Sequence, residues 1–348
     1  MADGIHYTSL INGHTLFKSE LGGVTRVSAK ELPILNRLSI KRLVLAAGSI
    51  RAPHWHANCA ELGYCVSGRA LVSILGNGST FSAFQVGAGQ MFLVESGALH
   101  AIENIGDGEA EFILAFRHEQ PEDFSLAGAF GAMTDAVLGN AYGMPAAIFA
   151  AIPRTTDGAY LLRREGPPLV PASADLGNSH KFDVERQSAP VELGYGSARL
   201  ARDQFWPALK DISMYSLRIT ADGMREPHWH PETAEMGYVQ SGHAKMTVQN
   251  PDGSIDSWEL APGDVYFIPR AYPHHIEVLD NDEIHFLIFF DQPTPGDVGF
   301  RASTSAFSAP VLAAMLGVPV GRLPQFPRTV ADPLIVQRVN PEGHFDRG

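Results

Sequence analysis

The sequence repeats itself at a constant offset of 174 residues, which is half of its 348 residues. Pro53–His56 reads Pro-His-Trp-His and is followed by Glu61, and the same residues recur as Pro227–His230 and Glu235. Other pairs keep this offset: Gly68 and Gly242, Gly89 and Gly263, His100 and His274, Phe116 and Phe290. Such a shared register predicts two tandem copies of one domain.

Short apolar segments separated by turn residues fill each copy. In the first copy they are 41–47, 62–66, 70–75, 81–86, 91–94 and 111–116. This spacing predicts an all-β sandwich or barrel and not an alternating βαβ fold. Residues 127–142 are rich in alanine and predict a helical tail. We place the boundary within 167–179 and predict domains 1–174 and 175–348.

The composition excludes several classes of partner. A net charge of −12 argues against binding to nucleic acid, although a local arginine or a divalent metal can still attract an anionic substrate. Two cysteines, Cys59 and Cys65, do not support a disulfide framework. The N-terminal residues lack a signal-peptide pattern, and no run of 18 apolar residues occurs. We therefore expect a cytoplasmic protein with no membrane partner.

The repeated histidines predict a metal site in each copy. Two histidines two residues apart on a strand project to the same face, and Trp55 between them faces the other way. Three imidazoles and one carboxylate suit a divalent first-row metal and leave two positions for exchangeable ligands. The predicted ligands are His54, His56, Glu61 and His100 in the first copy, and His228, His230, Glu235 and His274 in the second.

These residues lie in two sequence motifs. Gly48–Gly68 reads G-x5-H-x-H-x4-E-x6-G, and Gly89–Asn104 reads G-x5-E-x-G-x2-H-x3-N. They resemble the two cupin motifs, with Glu95 in the usual proline position, and the second half has Ala271 in the usual glycine position. The chain is similar to bicupins, most closely to the oxalate decarboxylase family. The resemblance implies two tandem cupin (jelly-roll) β-barrels with short helical tails.

The resemblance also implies a cofactor and two catalytic arginines. Members of the family carry manganese in both cupins, so we expect Mn(II), two ions per chain, with Fe(II) as the alternative. In the family, an arginine three residues before the His-x-His pair binds and polarises the substrate carboxylate. Arg51 and Arg225 occupy this position. A guanidinium matches a carboxylate with two donors, and a purely structural ion pair is the other interpretation.

The sequence departs from the family where a proton donor is needed. The family's lid, a Ser-Glu-Asn-Ser stretch with a proton-donating glutamate, is replaced here by His118–Asp123. Glu119 and Glu122 are the predicted catalytic acids, and Asp123 is a further candidate. Their alternative role is that of solvated loop acids. The glutamate near the metal of the family's second cupin falls at Ile288.

The resemblance implies a metal-dependent enzyme that acts on a small carboxylate with dioxygen, like oxalate decarboxylase. Two alternatives remain: a bicupin oxygenase for a larger substrate, and a non-enzymatic cupin that binds metal or a small ligand. An acid near the open face of the metal would favour the first, a large apolar pocket the second, and a site closed to solvent the third. By analogy with cupins that pair through barrel edges, we expect a homo-oligomer.

Overall fold

A computed structural model describes residues 5–279, 283–329 and 331–340. The chain is mostly β and forms two compact units, as the sequence predicted. One unit comprises Ser9–Arg186 and Trp206–Leu209, and the other comprises the remainder of the described chain. The strand-like segments predicted in the first copy all form strands, with ends within two residues of the predicted ones.

The strands up to residue 183 are β1 (Tyr7–Ser9), β2 (His14–Ser19), β3 (Gly22–Val27), β4 (Ser39–Leu45), β5 (Ser49–His56), β6 (Glu61–Ser67), β7 (Arg69–Leu75), β8 (Phe81–Gly87), β9 (Gln90–Val94), β10 (Leu99–Asn104), β11 (Ala110–Phe116), β12 (Asp123–Ser125), β13 (Leu161–Arg163) and β14 (Lys181–Asp183). The later strands are β15 (Val191–Leu193), β16 (Gly196–Ala201), β17 (Ser213–Ile219), β18 (Gly223–Trp229), β19 (Glu235–Ser241), β20 (Ala244–Gln249), β21 (Ile255–Leu260), β22 (Asp264–Ile268), β23 (His274–Val278), β24 (Ile284–Phe290), β25 (Val298–Gly299) and β26 (Ile335–Gln337). The α-helices are α1 (Leu126–Gly131), α2 (Asp135–Tyr142), α3 (Phe300–Ser305) and α4 (Ala309–Leu316).

Two antiparallel sheets form the first unit. One has the strand order β14-β9-β6-β11-β4-β3-β2, and the other has the order β12-β5-β10-β7-β8 with β13 paired to β5. Their inner faces share one apolar core that includes Phe84, Phe92, Phe112 and Phe116. Inward and outward residues alternate along the strands because successive side chains point to opposite faces of a sheet.

The second unit repeats this plan. One sheet has the order β1-β22-β19-β24-β17-β16-β15, and the other has the order β21-β20-β23-β18-β25 with β26 paired to β18. Its core contains Tyr266, Phe286 and Phe290.

Two short edge strands, β1 and β14, do not follow the predicted division of the chain. β14 pairs with β9 at the edge of a sheet in the first unit, although it lies beyond residue 174. β1 pairs into a sheet of the second unit. The division into domains 1–174 and 175–348 remains a prediction, and such exchanged edge strands are invisible to an offset argument.

The helical tail predicted over 127–142 consists of two helices, α1 and α2. α1 ends at Gly131, and α2 begins after Thr134, whose hydroxyl accepts a hydrogen bond from the Val137 amide. A side-chain cap of this kind satisfies one of the free amides at a helix start, so it favours a new helix. None of the described helices is long and apolar enough to span a membrane.

Candidate metal centres

The first predicted ligand set comes together inside the first unit. β5 and β10 are antiparallel neighbours, and their register places His100 opposite His54. Glu61 is the first residue of β6 in the facing sheet. The four ligand atoms of His54, His56, Glu61 and His100 lie within 4.8 Å of one another, and all four residues are buried. Trp55 faces away from them and stacks on Phe124.

A turn of unusual conformation holds the third histidine in place. Gly97 adopts a φ of 79°, and its amide donates a hydrogen bond to the carbonyl of His56. The second unit has Ala271 at this point with a φ of 66°, and its amide donates to the carbonyl of His230. Glycine adopts this left-handed conformation freely, whereas alanine is strained in it.

The imidazoles are oriented so that their lone pairs converge. His54 Nδ1 lies 2.8 Å from the carbonyl of Ala52, and His100 Nδ1 lies 3.0 Å from that of Ala98. Because a carbonyl only accepts, each Nδ1 carries the proton and each Nε2 keeps its lone pair. Among the described residues, His100 Nε2 is buried without a hydrogen bond, 3.5 Å from Glu61 Oε2. Lone pairs that face a carboxylate in this way form a set of donors that fits a cation.

His54 and Glu61 have the protonation states that metal binding needs, whereas at His56 hydrogen bonds with Asp123 and Glu61 outweigh burial and raise the pKa. Burial, assisted by the nearby charge of Arg51, holds the pKa of His54 well below its usual value, so its imidazole is neutral. Burial alone would raise the pKa of Glu61, but the facing imidazoles of His100 and His56 outweigh burial and lower it. Neutral imidazoles and an ionised carboxylate are the forms that bind a metal.

Asp123 orients the remaining histidine from outside the ligand set. Its Oδ1 lies 2.8 Å from His56 Nδ1, and its Oδ2 accepts from Lys41 Nζ at 2.9 Å and from Arg51 Nη2 at 3.2 Å. Three donors outweigh burial and hold the pKa of Asp123 well below its usual range. A carboxylate on the distal nitrogen of a ligating histidine fixes the ring and strengthens the ligand.

The second ligand set has the same arrangement. His228 lies opposite His274 in the register of β18 and β23, and Glu235 begins β19. The ligand atoms of His228, His230, Glu235 and His274 again lie within 4.8 Å of one another and are buried. His228 Nε2 and His230 Nε2 are only 3.2 Å apart, as expected of two lone pairs directed at one cation. Each unit therefore contains a metal-binding site of three histidines and one glutamate.

Asp297 occupies the position of Asp123 in the second unit. Its Oδ1 lies 2.9 Å from His230 Nδ1, and its Oδ2 accepts from Arg225 Nη2 at 2.5 Å. The charge of Arg225 and the close approach of His230 outweigh burial and lower the pKa of Asp297, while His230 Nδ1 is hydrogen-bonded to the carbonyl of Gly296.

An aromatic residue beside the ligating glutamate distinguishes the two centres. Phe92 lies there in the first unit and Tyr266 in the second, each with its ring against a glycine of the neighbouring strand. A Cβ added to Gly63 would lie 2.2 Å from Phe92, and one added to Gly237 would lie 2.1 Å from Tyr266. Glycine therefore makes room for each ring.

The Tyr266 hydroxyl donates to Glu235 Oε1 at 2.6 Å. The corresponding Glu61 Oε1 is buried with no hydrogen bond among the described residues. The second glutamate is thus fixed by a hydrogen bond that the first one lacks.

Tyr266→Phe should therefore weaken metal binding at the second centre by roughly tenfold or more, because outer-shell partners of ligands typically have effects of this size. Competition with a chelator, followed by metal analysis, measures the affinity of each centre. The matched variant is Phe92→Tyr, which offers Glu61 the missing hydrogen bond and should not weaken the first centre. An unchanged second affinity in Tyr266→Phe would contradict this explanation.

The predicted arginines lie beside the two centres. Arg51 is 6% exposed and lines a small cavity together with His54, Glu61 and Lys41. Apolar side chains complete the cavity wall: Val24, Leu43, Ile102, Leu114 and Phe116. The cavity volume is about 10 Å³, close to the room needed by one water molecule. Arg225 is 4% exposed and contacts Asp297 and the carbonyl of Leu334.

The structure places the two predicted acids in other surroundings. Glu119 Oε2 accepts from the Arg37 amide at 2.9 Å, and Glu122 is exposed, with its amide donating to Asn58. Their role as proton donors remains a prediction.

The sequence interpretation considered Asp123 only as a lid acid and missed Asp297. The repeat itself contains the signal, because Asp123 and Asp297 are 174 residues apart, whereas the residues at that offset from Glu119 and Glu122 are Pro293 and Gly296.

The comparisons with known proteins agree with this architecture. The model of the cupin family matches residues 9–147 and 185–320, well over half of the chain. The chain therefore belongs to the cupin family, and it is a bicupin.

The relatives of the chain include oxalate decarboxylases and oxalate oxidases. The chain is similar to oxalate decarboxylase OxdC of Bacillus subtilis (strain 168), with 28% identity over 291 residues, 81% of this chain and 74% of the relative. It is similar to oxalate oxidase GF-2.8 of Triticum aestivum, with 31% identity over 138 residues, 32% of this chain and 62% of the relative. A structure from a study of the Mn(II) centres of Bacillus subtilis oxalate decarboxylase has the same fold, with a TM-score of 0.84, 24% identity, and coverage of 97% of this chain and 90% of that one.

Proposed function

We propose that this bicupin is an oxalate-decarboxylase-like enzyme that acts on a small carboxylate at its first metal centre, with dioxygen as co-reactant. The observation that carries the proposal is the cavity in which Arg51 lies beside His54 and Glu61. Its relatives act on oxalate, so oxalate is the first substrate to test. We propose Mn(II) at both centres, with Fe(II) as the alternative.

In this proposal, each group of side chains around the cavity has its own role in the reaction. The ligands would hold the metal, which would bind the carboxylate and supply one-electron chemistry. Arg51 would bind a substrate carboxylate and draw electron density from it, because a guanidinium offers two donors and stays charged when buried. Asp123 positions both Arg51 and His56 through its two oxygens. The apolar wall, which includes Phe116, would limit the entry of further water.

The size of the cavity favours a small substrate over the larger one considered from the sequence. A volume of about 10 Å³ is close to the room needed by one water molecule, so oxalate itself enters only if the wall moves, and an aromatic or branched acid would need a larger movement. The buried arginine favours catalysis over simple metal storage, because desolvating a cation is costly and storage does not require one.

A second outcome of the same chemistry is oxidation of oxalate without formate. Decarboxylation to formate and carbon dioxide consumes one proton at carbon, and a nearby acid must supply it. Of the described residues that line the cavity, only Glu61 has a carboxyl group, and it is a metal ligand. Asp123 is held as a carboxylate by three donors. Without a donor directed at carbon, two electrons from oxalate and two protons from solvent would pass to dioxygen, giving two carbon dioxide molecules and hydrogen peroxide.

Incubation of the manganese-loaded protein with ¹³C-oxalate under air tests the proposal. Formate detected by NMR, in proportion to the oxalate consumed, would support decarboxylation. Hydrogen peroxide without formate would mean that the protein oxidises oxalate and does not decarboxylate it to formate. Unchanged oxalate with both centres loaded would reject oxalate as the substrate.

A further inference from the structure

The two metal centres differ in one buried cation. Lys41 lines the first cavity and is 5% exposed, and its counterpart at the 174-residue offset is Tyr215, also 5% exposed. Both side chains contact an equivalent phenylalanine: Lys41 Nζ lies 4.5 Å from the centre of the Phe116 ring, and the Tyr215 ring lies 4.8 Å from that of Phe290. Lysine and tyrosine thus occupy the same place in the two barrels.

The difference changes the charge of the centres. In the first, Lys41, Arg51 and a divalent metal bring four positive charges, of which Glu61 and Asp123 offset two. A net charge of about plus two remains in a site walled by apolar side chains, where charges are poorly screened.

The second centre has one positive charge fewer. Arg225 and a divalent metal face Glu235 and Asp297, and Tyr215 contributes no charge, because burial and the charge of Asp297 raise its pKa to about 12. A further buried carboxyl group, that of Glu226, lies on β18, where the first unit has Ala52.

Lys41 has donors available for a ligand. Its ammonium makes an ion pair with Asp123 Oδ2, a contact that uses one of its three N–H groups. Arg51 Nη2 contacts the same oxygen, so the two cations are held side by side at the cavity. Two adjacent buried cations and a divalent metal match a ligand with two negative charges.

We propose that Lys41 is a specificity-determining residue that makes the first centre a site for a small dianion, a short dicarboxylate, whereas the second centre fits a monoanion. The inference rests on the proposed function in that the dianion is the substrate. It assigns the selectivity to charge: a dicarboxylate is bound by Lys41, Arg51 and the metal together. A monocarboxylate product has one charge and is held less strongly, which favours its release.

Binding measured without turnover tests this assignment. Calorimetric titration of the manganese-loaded protein with oxalate, and separately with formate, is carried out without dioxygen. Lys41→Met should weaken oxalate binding by roughly 10- to 100-fold, as expected for a lost charged hydrogen bond, and formate binding by less than about threefold. Lys41→Arg keeps the charge and should restore oxalate binding to within about threefold. Tyr215→Phe, the matched variant in the second unit, should leave tight oxalate binding unchanged.

Thermal unfolding checks that each variant is folded, and Lys41→Gln replaces Lys41→Met if the latter is not. Oxalate binding within threefold of the unmodified protein in the neutral variant would overturn the proposal. An equal loss for oxalate and formate would also overturn it. The proposed function would fail separately if oxalate binds in a way that depends on Lys41 but the protein produces neither formate nor hydrogen peroxide. Normal turnover with binding independent of Lys41 would reject only the role of Lys41.

Discussion

Arg51→Gln is expected to lower kcat/KM for oxalate by at least about 30-fold. Arg51 is buried beside the ligands, and its guanidinium is held by Asp123, by the carbonyl of Tyr160 and by the Tyr160 ring. Removing one partner of a buried charged contact costs about 2–5 kcal/mol, and each 1.36 kcal/mol corresponds to a tenfold change in rate. Initial rates of formate or peroxide formation, at equal metal content, measure the effect.

Two further variants separate substrate binding from structure. Arg51→Lys keeps the charge but loses the planar pair of donors, so its activity should lie between that of the parent protein and that of Arg51→Gln. Arg225→Gln removes the matched arginine of the second centre and should cost less than Arg51→Gln. Full activity in a folded Arg51→Gln variant would mean that the Arg51–Asp123 contact is only a structural ion pair.

Removal of the metals should lower the melting temperature by roughly 10 °C. Without a cation, the lone pairs of buried imidazoles face a buried carboxylate in each unit, as at His100 and Glu61. A ligand present at about 1,000 times its Kd stabilises the folded state by about 4 kcal/mol, and each kcal/mol shifts the melting temperature of a 150–250-residue domain by about 2–4 °C. Calorimetry before and after dialysis against a chelator measures the shift.

A double variant gives the control for this experiment. His54→Ala with His228→Ala removes one ligand from each centre, so its melting temperature should respond little to chelation or to added manganese. Equal melting temperatures for the loaded and the metal-free parent protein would contradict a role of the metals in stability.

The repeat made the fold and the ligands predictable from the sequence. A fixed offset of 174 residues singles out residues that both units need, and strand periodicity places His54 and His56 on one face. Glu61 and His100 could be added because they recur as Glu235 and His274. The structure brings each set of four together.

The contacts around the ligands could not be predicted in the same way. Strand periodicity does not say which loop carboxylate reaches a ligating histidine, so the sequence predicts Glu119 and Glu122 only from their position in the lid segment. Asp123 contacts His56 because β12 pairs with β5 in a register that aligns these two residues. That pairing depends on tertiary structure, although the repeat of Asp123 as Asp297 pointed to it.

Differences between the copies carry a second kind of information. At two positions the copies have different residues where the ligands are identical: Lys41 corresponds to Tyr215, and Phe92 corresponds to Tyr266. All four side chains are buried near the centres. From sequence alone, these positions are indistinguishable from ordinary core substitutions. The structure distinguishes them, because Tyr266 contacts Glu235 and Lys41 lies in the cavity wall.

The most direct test of the central claim compares turnover of oxalate in two single variants, His54→Ala and His228→Ala, with the metal content of each measured. Our account predicts one metal ion fewer per chain in both, and loss of oxalate turnover in His54→Ala with turnover continuing in His228→Ala. Turnover in His54→Ala equal to that of the parent protein would contradict the assignment of the chemistry to the first centre.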